Sequence, residues 1–175
     1  VSAYPAEVTP QMVLNFLRGG AAINVLARHV GARVIVVDMG VAAELGQHPG
    51  LVNAKIAPGT RNIARGAAMS TEQAVQALLA GVKVVEDELA RGLDIVGTGD
   101  MGIGNTTPSA AIAAAMTGIS AAQICGRGTG VDDAGLARKV QAVERALAVN
   151  APDPRDALGV LAKLGGFEIG GIAGV

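Results

Sequence analysis

Aromatic side chains are almost missing from this chain: its 175 residues include one tyrosine, two phenylalanines and no tryptophan. With so few rings to stack on bases, and no basic run in a chain of net charge −1, nucleic acid is excluded as a leading partner. The single cysteine, Cys125, rules out an internal disulfide and a cysteine-built zinc site. The two histidines, His29 and His48, stand apart in sequence and give no metal set and no Ser-His-Asp arrangement to argue from. No apolar run reaches membrane-spanning length, and no signal peptide is visible. These absences point to a soluble, cytoplasmic α/β domain.

What is present is small and apolar. Hydrophobic residues make up 50% of the chain, and there are 25 glycines. A core of Ala, Val, Leu and Ile with many tight loops is expected, in one α/β domain spanning 1–175. Met12, Val13, Phe16 and Leu17 start an apolar stripe that Ile23, Val25 and Leu26 resume, predicting a helix from about Pro10 to His29 with Thr9 as its cap. Arg33–Asp38 is β-branched without alternation, as in a parallel strand covered on both faces. Asp38 stands at its carboxyl end, where ligands gather in open α/β sheets. It is a candidate binding residue, with loop capping the equally good alternative.

A short strand is expected within 53–57, and then a turn at 58–62. Ser70 and Gln73 form a capping box for a helix reaching about Arg91, with Val75, Leu78, Leu79, Val82 and Leu89 as its apolar face. Leu93–Val96 reads as a buried strand, completing a strand–helix–strand unit. Further helices are expected over 109–116, 121–125 (capped by Ser120), 133–148 (capped by Asp132) and up to Leu164 (capped by Asp153), with another beginning within the last nine residues. That closing stretch is apolar with no polar tail, which predicts a chain cut from a longer protein.

The chemistry centres on two glycine-rich turns. The first runs from Gly97 to Thr107 and includes Gly99, Asp100, Met101, Gly102, Ile103, Gly104, Asn105 and Thr106. It leads from the expected strand into a helix, so backbone N–H groups and the helix dipole favour an anion there. Its spacing fits neither a dinucleotide fingerprint nor a P-loop. The second, Gly126-Arg127-Gly128-Thr129-Gly130, also heads a helix. Two such turns suggest a shared phosphate pocket, with Arg127 and Lys139 as counter-charges. Lys139 lies two turns into its helix and could reach back to the helix start, with a solvated surface lysine the equally good alternative. Cys125 has no local base and reads as a small buried hydrophobe.

The stretches 99–108 and 126–139 resemble the two signatures of the nicotinate-nucleotide–dimethylbenzimidazole phosphoribosyltransferases. Val1–Pro5, Leu14–Asn24 and Gly165–Ile169 resemble further family segments, so the likeness spans the whole chain. The resemblance implies a Rossmann-like three-layer fold, a mostly parallel sheet flanked by helices, with the family's small helical domain largely missing. It implies a homodimer without metal or cofactor. It also implies transfer of phosphoribose from nicotinate mononucleotide to 5,6-dimethylbenzimidazole in cobalamin assembly. Asp100 takes the place of a family acidic residue that supports the reacting centre or the ribose, and Ser2 joins the binding set.

Family members are about twice as long, and the family's general base is a glutamate in the C-terminal part. None of Glu7, Glu44, Glu72, Glu86, Glu88, Glu144 or Glu168 sits in its motif. Little or no transfer is therefore expected from these 175 residues alone. A non-catalytic nucleotide-binding module and a structural dimerisation domain stay open as alternatives.

Overall fold

The computed structural model describes every residue except Val1, Ala3 and Thr129. The first expected helix is two. α1 (Val8–Leu17) starts after Glu7, which places Thr9 and Pro10 inside the first turn, where a missing N–H costs nothing. Gly19, at φ +76°, breaks the path, because that left-handed backbone is one L side chains avoid. α2 (Ala22–Val30) resumes beyond it and closes on Gly31, also left-handed. Asn24, buried in α2, accepts the Ala21 N–H through Oδ1.

The sheet is small and parallel. β1 (Val36–Asp38) pairs with β2 (Leu51–Asn53) in the register Val36 to Leu51. The ladder runs on through Ala54 N–H to the Asp38 carbonyl and Ile56 N–H to that of Met39. The chain is thus mixed α/β, with the parallel pairing that the apolar run at 33–38 predicts.

The expected strand at Leu93–Val96 does not form. The segment is irregular, with a bend at Asp94, and Ile95 is 88% exposed. A strand needs a neighbour for its ladder, and none lies beside it among the described residues.

α3 (Thr71–Leu89) begins on the predicted box: Ser70 Oγ accepts the Gln73 N–H, and Gln73 Oε1 accepts the Ser70 N–H. Its packing face is not the predicted one. Ala74, Ala77 and Gly81 turn inward, while Leu79 and Leu89 are left largely exposed. The inward row is small because α8 (Phe167–Gly174) brings its own glycines against it, and a methyl at Gly81 would overlap the Gly171 carbonyl. Near the end of α3 the buried Glu88 takes Arg33 at 2.5 Å and Arg91 at 2.9 Å, tying the helix to the segment that enters β1.

α4 (Thr106–Thr117), α5 (Ala121–Ile124), α6 (Asp133–Asn150) and α7 (Ala157–Leu164) complete the order. Asp132 caps α6 by accepting the Gly135 N–H at 2.7 Å. α7 is capped by Asp156, not Asp153, whose carboxylate is held by Arg155 instead. One apolar cluster joins α4, α5, α6 and α7 through Ala111, Val143, Ala146, Val160 and Leu164. A second joins Met39, Met69, Ala74, Ala77 and Phe167 to Leu161 and Ala162 of α7. No helix among the described residues is long and apolar enough to cross a membrane.

Candidate functional site

The two glycine-rich turns meet at one side chain. Lys139 lies in the second turn of α6 and is only 3% exposed. Its ammonium donates to Thr106 Oγ1 at 2.8 Å, on the first turn of α4, and to the Gly126 carbonyl at 3.0 Å, at the head of the second glycine turn. Gly128, at φ +57°, faces the same pair: a Cβ there would sit 3.0 Å from Thr106 Oγ1 and 3.6 Å from Lys139 Nζ. Among the described residues no carboxylate pairs with Lys139. A buried ammonium held only by neutral oxygens keeps most of its charge uncompensated, and burial without a counter-charge is costly. That arrangement suits an anion arriving from outside.

The rest of the first turn is open. Among the described residues, nothing lies within 4 Å of where a side chain would begin at Gly97, Gly99, Gly102 or Gly104. Asp100 is exposed and accepts the side-chain N–H of Asn105. Asn105 precedes α4 and, among the described residues, makes no capping bond and leaves its buried Oδ1 without a partner. Ser109 secures the backbone there, both its N–H and its hydroxyl donating to the Asn105 carbonyl.

Sequence reasoning missed a second carboxyl, one close enough to feel the Asp100 charge. Glu168, in the first turn of α8, is driven above the ordinary glutamate range chiefly by burial and further by the Asp100 charge, with a backbone hydrogen bond opposing. Its carboxyl folds back over Gly166, where a Cβ would collide with it. Glycine at 166 was the available signal, since the double glycine reads as a helix stop until the fold shows what lies over it.

A family model described as phosphoribosyltransferase matches residues 1–175. The chain belongs to this phosphoribosyltransferase family. It is 65% identical over its full length to a nicotinate-nucleotide–dimethylbenzimidazole phosphoribosyltransferase of Roseiflexus sp. (strain RS-1), covering 50% of that protein. A protein of the same name from Geobacter sulfurreducens is 59% identical over the same 175 residues. The crystal structure of CobT from Thermus thermophilus superposes with a TM-score of 0.94 at 53% identity, over 99% of this chain and 52% of that one. The chain thus spans about half the length of the curated relatives it matches.

Within this phosphoribosyltransferase chain the other predicted residues are placed as follows. Thr106, Gly126, Gly128 and Lys139 come together as described. Thr107 continues α4, while Met101 and Ile103 are partly buried beside the open glycines and Gly130 ends the second turn at φ +94°. Thr129 lies outside the described residues. Arg127 is spent on its own turn, donating to the Val131 carbonyl and pairing with Asp133, so it braces the loop.

Asp38 is buried, and its Oδ1 accepts the N–H groups of Gly40 and Val41 while Oδ2 faces Lys55 at 3.6 Å. This is the loop-capping alternative. Ser2 is exposed and, among the described residues, exchanges hydrogen bonds with Tyr4 alone. Cys125 is buried in the α4–α6 cluster, which raises its thiol above the usual range against the pull of Lys139. Among the described residues no group of His, Cys, Asp or Glu side chains is arranged to hold a metal ion.

Proposed function

We propose that this chain, as one α/β unit over 1–175, supplies the donor-binding side of an enzyme that moves phosphoribose from nicotinate mononucleotide to 5,6-dimethylbenzimidazole. The products are α-ribazole 5′-phosphate and nicotinate, a step in building the nucleotide loop of cobalamin. The observation that carries the reading is Lys139, a buried cation shared by both glycine turns. The names of the relatives supply the donor and acceptor.

In this reading the 5′-phosphate meets Lys139 Nζ, the backbone of the turn at 126–130 and the start of α4, where N–H groups and the helix dipole favour negative charge. An acceptor ring nitrogen attacks C1′, and the glycosidic bond breaks with its electron pair passing to the nicotinate nitrogen. Positive charge builds on the ribose ring, as in glycoside cleavage. Asp100 lies on the open turn near that charge, with Glu168 beside it. A carboxylate there stabilises the transition state more than the ground state. The proton leaving the acceptor's second nitrogen goes to the family's glutamate base, which belongs to a part of the family's length that these residues do not span. The reading also carries a homodimer and a cytoplasmic place of work, in keeping with a phosphoribosyltransferase of small-molecule metabolism.

Calorimetric titration with nicotinate mononucleotide tests it. Lys139→Ala should weaken binding by about tenfold to a hundredfold, the loss expected for hydrogen bonds to a charged group. Lys139→Arg, with charge kept, should bind better than the alanine variant. Unchanged affinity in Lys139→Ala would count against the phosphate assignment.

A further inference from the structure

A buried acceptor without a donor is an exception that asks for a cause, because leaving one unsatisfied forfeits its hydration with nothing in return. Among the described residues Asn105 Oδ1 is such an atom. The amide cannot be turned to cure it: a carboxylate oxygen accepts, so the nitrogen must face Asp100, and the oxygen is left over. Nor does Asn105 spend the oxygen on capping α4, as its residue type would ordinarily do.

Its position says what the missing donor is. On one side, the next residue, Thr106, carries the hydroxyl that holds Lys139, the anion anchor. On the other, Asn105 grips Asp100, the carboxylate whose charge reaches Glu168. A sugar phosphate held by its phosphate at Lys139, with its anomeric carbon toward Asp100, would lay its ring past Asn105 between them. The donors on such a ring are its hydroxyls.

We infer that Asn105 Oδ1 accepts a hydrogen bond from a ribose hydroxyl of the donor nucleotide, making Asn105 a specificity residue that separates ribose from deoxyribose while its nitrogen positions Asp100. The inference rests on the donor reading above and deepens it. A site built to bond a hydroxyl rejects an analogue lacking it, because its buried acceptor stays bare.

The experiment measures calorimetric affinity for nicotinate mononucleotide and for its 2′-deoxy and 3′-deoxy analogues, on the unaltered protein, on Asn105→Ala and on Asn105→Leu, a variant of similar shape without polar atoms. The unaltered protein should prefer the ribonucleotide over at least one deoxy analogue by tenfold or more. Both variants should bind all three within about threefold of one another. Either variant alone suffices if the other fails to fold. Discrimination retained in a folded variant overturns this inference and leaves the donor reading standing, as does equal binding of all three ligands by the unaltered protein. Failure of the unaltered protein to bind any of the three overturns both.

Discussion

At Glu168 burial and a neighbouring charge act in the same direction. Its folded-state pKa lies above the ordinary value of 4.5 because burial and Asp100 both oppose ionisation. The folded chain therefore keeps a proton over a pH window in which the unfolded chain has lost it, and stability falls as pH rises through that window. Above it the full cost of the buried charge is present. Glu168→Gln should melt at or above the temperature of the unaltered protein at pH 7.5, and the difference should shrink at pH 4, where both states of Glu168 are protonated. A lower melting temperature for Glu168→Gln at pH 7.5 would mean that a partner stabilises the carboxylate.

The same residue marks a limit of sequence reading. Lys139 was legible because two helical turns give a definite reach back to a helix start. Glu168 was not, because its environment is made first by burial, which only folding creates, and then by the charge of Asp100, 68 positions earlier in the chain. Asp38 shows the intermediate case: its type and place were legible, but which of two uses it serves depended on Lys55 and two N–H groups whose positions only folding fixes.

Among the elements, helices with their own stop and start chemistry were the most legible. The Ser70 and Asp132 caps fall where the sequence puts them, since a cap is made by residues three apart. The 93–96 segment was not legible because a strand's identity is shared with a partner, and apolar composition alone cannot supply one. The inward face of α3 was missed for a related reason. Large apolar residues suggest a core face, yet the face that packs is the one whose smallness matches the glycines of α8.

That contact makes a prediction at this scale. Gly81→Ala places a methyl into the Gly171 carbonyl, a backbone atom that no rotamer change can move aside. Overpacking of this kind costs about 1–3 kcal/mol, and alanine's better helix propensity returns roughly 1 kcal/mol at most. Thermal unfolding should show a net loss in Gly81→Ala of up to about 2 kcal/mol, which lowers the melting temperature by up to about 8 °C for a chain of this length. An unshifted melt would show that α8 can slide away from α3 at no cost.

Over the whole molecule, apolar rows remain uncovered. α2 exposes Ile23, Leu26 and Val30 at helical spacing, and α3 exposes Val75, Leu79, Val82 and Leu89. Neighbouring apolar side chains in such rows mark surfaces meant to be buried. In keeping with the homodimer proposed above, light scattering of the purified chain should give twice the monomer mass. Leu79→Asp should move that mass toward the monomer. A monomeric mass for the unaltered chain would count against self-association of these rows.

α7 gives Val160 and Leu164 to one apolar cluster and Leu161 and Ala162 to the other. A single eight-residue helix is therefore wall to both. Detaching α7 would strip a wall from both clusters at once. That shared helix is a physical route by which order in the half that carries Lys139 is coupled to order in the half that carries the sheet.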